Sequence, residues 1–122
     1  MRYTIVAGPH YIKAEMVERD TAEETKAFVQ AILETLRKHE PPRVLISVRS
    51  SRPVYKVDSW NLSGALDQLI SLKGLRVAFI ADSKELAMSQ EYIALLARQR
   101  GLDFRPFAAE KEAAEWLAEA ST

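Results

Sequence analysis

The segment Gly74-Leu-Arg-Val-Ala-Phe-Ile-Ala-Asp-Ser83 decides the fold. Leu75 to Ala81 is apolar almost throughout, which is the composition of a strand buried on both faces. Asp82 and Ser83 follow it where a helix N-cap accepts an orphan backbone amide. A buried strand passing directly into a capped helix is one unit of an α/β sheet.

The same unit recurs on either side. Downstream, Lys84 to Arg100 has helical periodicity and Gly101 is placed to end it. Leu102 to Phe107 then alternates Leu102 and Phe104 with Asp103 and Arg105, as a half-buried strand does. A last helix, about Glu110 to Ala120, is predicted to bury Ala113, Trp116 and Leu117. Upstream, Arg43 to Val48 is a short strand rich in β-branched residues, followed by an irregular loop from Arg49 to Asp58. Ser59 can cap the next helix, whose buried face is expected to comprise Leu62, Ala65, Leu66, Leu69 and Ile70. Further back, Thr21 and Glu24 form a capping box. The helix they open carries the stripe Phe28, Val29, Ile32, Leu33 and Leu36, and Pro41-Pro42 stops it. The chain starts with two alternating runs, Arg2 to Ala7 and His10 to Val17, separated by Gly8-Pro9. They predict an antiparallel hairpin with Ile12, Ala14 and Met16 on one side and Lys13 and Glu15 on the other.

The resulting order, β-β-α-β-α-β-α-β-α, predicts a mixed, mainly parallel five-stranded sheet with right-handed crossovers behind an N-terminal hairpin. Lys13, Glu15, Asp103 and Arg105 give several strands one polar face. The helices are therefore expected mainly on one face, with the strands stepping across the sheet in chain order.

With 122 residues, the chain reads as a single domain spanning 1–122 that buries one core. Its formal net charge is zero, which provides no electrostatic footprint for nucleic acid or an anionic membrane. Cysteine is absent, excluding disulfides and thiolate chemistry. No apolar run approaches the roughly 20 residues of a transmembrane helix. The first residues lack the ordered regions of a signal peptide, so the expected setting is the cytoplasm.

The opening hairpin, the Arg43 to Val48 strand, the Gly74 to Asp82 unit and the closing run Gly101 to Phe107 with Ala113 to Leu117 together resemble the STAS domain family, in particular its SpoIIAA-like bacterial members. The resemblance covers nearly the whole chain. It implies a four- or five-stranded mixed sheet with helices packed on it. Members of that family act as anti-sigma-factor antagonists and as cytoplasmic domains of anion transporters, and the SpoIIAA-like group is likened to Sec14-type lipid-binding domains. In the antagonists a kinase phosphorylates the serine of an Asp-Ser pair that opens the helix after the third strand. Asp58-Ser59 stands in the matching place here, so the resemblance makes Ser59 a candidate phosphoacceptor. A phosphate there would add roughly two negative charges beside helix N-terminal amides. Read from the residues alone, Ser59 is a plain N-cap that needs no further function.

Two further sets of residues point to binding. Arg49 and Arg52 flank two serines beyond the carboxyl end of a predicted parallel strand, the edge where open α/β sheets take ligands. With Tyr55 and Trp60 they are candidate ligand-binding residues for a small anionic or lipid-like molecule. The alternative is a solvated loop and two aromatics that close the core. On the third helix, Leu86, Ile93, Leu96 and Ala97 share one side while Met88, Tyr92 and Leu95 fall almost opposite, at about 100° per residue. That second stripe is a candidate interface for a protein partner or a second copy of the chain. His10 and His39 are isolated, have no ligand spacing and are expected in solvent. No Gly-rich phosphate loop, nucleophile elbow or nucleophile–base pair occurs. The expectation is a protein that is not an enzyme and holds no metal or cofactor. Its role is then a regulatory or protein-interaction module of the STAS type, or alternatively the ligand-binding protein just outlined.

Overall fold

The computed structural model of the chain describes residues 2–18, 22–51 and 62–119. The elements follow the expected order: β1 (Arg2–Ala7), β2 (Ile12–Val17), α1 (Ala22–Lys38), β3 (Arg43–Arg49), α2 (Leu62–Leu69), β4 (Arg76–Ala81), α3 (Lys84–Arg98), β5 (Asp103–Pro106) and α4 (Glu110–Ala118). They build an α/β domain around one five-stranded sheet of order β1-β2-β3-β4-β5. The β1–β2 pair is antiparallel and the remaining pairs are parallel.

This topology fixes where the helices lie. Each of α1, α2 and α3 connects two neighbouring parallel strands, and every step goes the same way across the sheet. Right-handed crossovers in one direction must all pass over the same face. Accordingly, Phe28, Ile32, Leu33 and Leu36 of α1, Ala65, Leu66 and Leu69 of α2, and Leu86, Ala94 and Ala97 of α3 pack on that face. They meet Ile12, Ala14 and Met16 of β2, Val44 and Val48 of β3, Val77 and Phe79 of β4, and Phe104 of β5. Helix α4 follows the last strand and is no crossover, so it is free to take the opposite face. There Ala113, Trp116 and Leu117 cover Leu45 and Ala78.

The polar positions read from the sequence belong to this α4 face. Lys13 pairs with Glu110 of α4 at 2.6 Å, and the Arg105 guanidinium lies 4.7 Å from the centre of the Trp116 ring. Cationic stacking of this kind contributes ~0.5–1 kcal/mol at a partly exposed site.

Helix α3 has well-defined ends. The Ser83 hydroxyl accepts a hydrogen bond from the Leu86 amide at 3.2 Å. At the other end the Gly101 amide donates to Arg98 O and the Leu102 amide donates to Ala97 O, the pair of bonds that makes a Schellman motif. Gly101 has φ +80°, a left-handed conformation that favours glycine. Buried Leu102 and Ala97 supply the apolar contact that accompanies the motif. The regular helix thus ends at Arg98, two residues before the expected Arg100.

One expected core residue is not in the core. Ile70 is 54% exposed, because α2 ends at Leu69 and the chain turns before a further turn of helix would bury it. The Leu62 side chain and the Thr21 half of the expected capping box lie outside the described residues.

Candidate functional site

Strands β2, β3 and β4 are parallel, so their carboxyl ends share one edge of the sheet. Backbone and side chains are tied together there. The Glu18 amide donates to Arg49 O at 3.2 Å, and the Ser50 amide donates to Asp82 Oδ2 at 3.0 Å. The Ser51 hydroxyl donates to Arg49 O at 2.8 Å. Glu18 and Ser50 have φ of 60° and 47°, conformations that L-residues with a side chain rarely adopt. Among the described residues these are the non-glycine positions with positive φ, and both stand at this edge. Asp82 therefore braces the β3 exit, while Ser83 caps α3.

Of the residues expected to hold a ligand at this edge, the structure places Arg49. Its side chain alternates onto the α4 face of the sheet, where its Nε lies 3.5 Å from Glu15 Oε2. Arg49 is exposed and Glu15 half-buried, and such a pair at the surface contributes ~0.2–1 kcal/mol. Arg52, Tyr55, Trp60 and the candidate phosphoacceptor Ser59 lie outside the described residues.

On the opposite face a cavity of about 100 Å³ opens between the sheet and its helices. Ala65, Leu66 and Leu69 of α2 line it between α1 and α3, and Leu36 and Val44 line its amino end. Toward the carboxyl edge of the sheet it is floored by Ile46, Val48 and Phe79 and walled by Phe28, Leu86 and Ile93. Polar groups gather at the same end: Thr25 in the first turn of α1, and Ser89 and Gln90 in the second turn of α3. The Gln90 amide group donates to Ile80 O at 3.0 Å. The Thr25 hydroxyl is buried without a hydrogen-bond partner.

The outer face of α3 carries Met88, Tyr92 and Leu95, which are 55%, 47% and 50% exposed. They are presented together, as their spacing requires. Leu86 and Ala97 on the opposite side are buried, and Ile93 and Leu96 pack against the core.

His39 departs from its expected solvated state. Its Nδ1 lies 2.7 Å from Pro41 O and its Nε2 lies 2.7 Å from Gly8 O. Both partners are carbonyl oxygens, which only accept, so the ring is the donor in these contacts. The ring thereby joins the β1–β2 turn to the α1–β3 connection. Both partners are backbone atoms, which leave no mark in the sequence.

A cluster of cations sits at the amino edge. Arg43 and Arg76 are directly paired across β3 and β4, an arrangement of like charges that is unfavourable by itself. Both reach the C-terminal end of α4. Arg43 Nη1 donates to Leu117 O at 2.6 Å and Glu119 O at 2.5 Å; Arg76 Nη1 donates to Trp116 O at 2.8 Å and Glu119 O at 3.0 Å. No basic residue occupies the last turn of α4, so these strand arginines supply its missing cationic cap. The Nη1 groups of both arginines are engaged by carbonyls, which makes this a structural clamp.

Comparison with family models, with curated proteins and with solved structures finds no match for the chain. Among the described residues there is no group of three metal-ligating side chains, and no helix is long and apolar enough to cross a membrane.

Proposed function

We propose that the chain is a non-enzymatic protein-interaction module of the STAS type, working in the cytoplasm and contacting a protein partner or a second copy of itself through α3. The observation that carries this reading is the apolar outer stripe of α3. A helix packed on a sheet needs one apolar face, and α3 has two. Leu86, Ala94 and Ala97 satisfy the sheet, whereas Met88, Tyr92 and Leu95 remain in water. A flexible thioether, an aromatic ring with a polar tip and a leucine on one rigid surface form the kind of patch that protein interfaces bury. The topology adds support: a hairpin followed by strands in chain order, with the crossover helices on one face, is what the STAS resemblance implies. The rival reading, an anion held by arginines at the carboxyl edge, draws little from Arg49, whose charge faces Glu15 on the other side of the sheet.

The test is mass measurement by light scattering and native mass spectrometry on protein purified from its own host, with Tyr92→Glu beside the wild type. The wild type is expected as a dimer or a defined complex. The variant, with unchanged circular dichroism, is expected as a monomer without partner. A monomeric wild type with nothing bound, or a complex indifferent to Tyr92→Glu, overturns the reading.

A further inference from the structure

The cavity on the crossover face raises a question separate from the α3 surface, and the chemistry of its walls answers it. We propose that it is a binding site for one small uncharged molecule with an apolar body and a single hydrogen-bonding oxygen, such as a short-chain alcohol.

Size sets the first limit. A cavity of about 100 Å³ is somewhat smaller than the apolar cavities of about 150 Å³ that stay dry and take up benzene. The body it accepts therefore has about five or six heavy atoms. Charge sets the second limit. None of the described lining residues is ionisable, so these walls offer a carboxylate or ammonium group no opposite charge in exchange for its water. The third limit is direction. The inner end of the cavity is lined by Leu36, Val44 and Leu69, while Thr25, Ser89 and Gln90 lie at the carboxyl edge. An occupant with a polar end points that end outward along the trough and its hydrocarbon inward.

Thr25 marks where the polar end binds. Its side chain is 5% exposed and its Oγ1 has no hydrogen-bond partner. A buried hydroxyl left in that state is unfavourable. Threonine in a helix divides between two χ1 rotamers, so one rotation exchanges the methyl and the hydroxyl on the cavity side. An oxygen on the occupant then provides the missing partner. The Gln90 Nε2 donates to Ile80 O and holds the opposite wall in place.

The experiment is a methyl-detected NMR titration with pentan-1-ol, benzene and pentanoate, the last fully ionised at pH 8. Pentan-1-ol and benzene are expected to shift the methyl signals of Ile46, Val48, Leu66 and Leu86 saturably, and pentanoate to bind at least tenfold more weakly. Thr25→Val preserves the shape of the side chain and removes only the hydroxyl. It is expected to weaken pentan-1-ol about five- to tenfold and to leave benzene unchanged. Ala65→Leu fills the space from α2 and is expected to abolish both; if it does not fold, Thr25→Val still decides. Absence of saturable shifts with either neutral probe overturns the site. Equal binding of pentanoate overturns its neutrality, and equal binding of pentan-1-ol to Thr25→Val overturns the assignment of the oxygen.

Discussion

Replacing Arg43 by methionine tests the account of how α4 is held. Methionine fills much of the same volume and takes away the charge and the donors. Arg43 donates to Leu117 O and Glu119 O, and bonds from a charged donor contribute ~1.5–3 kcal/mol each. Removing both gives a gross loss of ~3–6 kcal/mol. Two effects reduce it. The pKa of Arg43 is lowered, first by burial and then by the charge of Arg76, so the folded state disfavours this cation and the substitution relieves that penalty. Arg76 also still donates to Glu119 O. One effect adds back: Leu117 O, buried beneath the helix end, loses its donor, which costs ~1–3 kcal/mol. The net expectation is a loss of ~2–4 kcal/mol, a large share of the ~5–15 kcal/mol that stabilises a domain.

The assay is urea unfolding followed by circular dichroism, with the m-value unchanged so that the midpoint shift reports stability alone. Arg43→Lys keeps a charge near the helix end but not the two-pronged reach, and is expected to lose about half as much. The sign of the pH effect follows from the lowered pKa. Below the folded-state value both states hold the proton and the penalty is constant; stability gains from this group only as pH rises through that value, and an arginine keeps its proton throughout the range in which proteins are ordinarily assayed. The wild-type to Arg43→Met difference should therefore be flat between pH 5 and pH 9. A loss under ~1 kcal/mol, or a difference that changes across that range, would refute the reasoning.

Two other substitutions probe the frame. His39→Leu removes both ring contacts and leaves Gly8 O without the ring, with an expected loss of ~1–3 kcal/mol in thermal or urea unfolding; an unchanged midpoint would mean the ring is a bystander. Ser83→Ala removes the N-cap acceptor for the Leu86 amide and is expected to lose ~1 kcal/mol, with amide exchange rising first at the start of α3.

What the sequence showed, and what it hid, divides along a physical line. Patterns of side-chain burial were legible. The alternation of Ile12, Ala14 and Met16 with Lys13 and Glu15 is the observed β2, and Ala113, Trp116 and Leu117 are the residues α4 buries. The outward stripe of Met88, Tyr92 and Leu95 follows from helical spacing in the same way. Strand order also followed, because short parallel crossovers leave few alternatives. Interactions whose second partner is a backbone carbonyl were not legible. His39 read as a solvated turn residue, Arg43 and Arg76 as strand charges, because Gly8 O, Pro41 O and the end of α4 carry no residue signature. Ile70 failed for a different reason: periodicity continues through a residue that the helix does not reach.

The cavity on the crossover face also left no mark in the periodicity, since the residues that line it are those that periodicity assigns to the core. A residual void destabilises by roughly 24 cal/mol per Å³, so leaving about 100 Å³ empty costs about 2.4 kcal/mol. Simple substitutions offer to reduce that loss. Ala65 lines the space from α2, and a leucine there, next to Leu66 and Leu69, would fill much of it without altering the polar surface. Thr25 adds to the same deficit, since valine would occupy its place without a buried hydroxyl lacking a partner. The α4 face of the same sheet is packed differently: Trp116 fills its groove against Phe107, with ring centres 5.5 Å apart, and lies under the Arg76 and Arg105 guanidinium groups. One face is thus closed by its helix, while the other keeps both a hollow and an unpartnered hydroxyl in reach of it. An occupant that fills the hollow and engages that hydroxyl would offset both losses together, which no single substitution of Ala65 or Thr25 does.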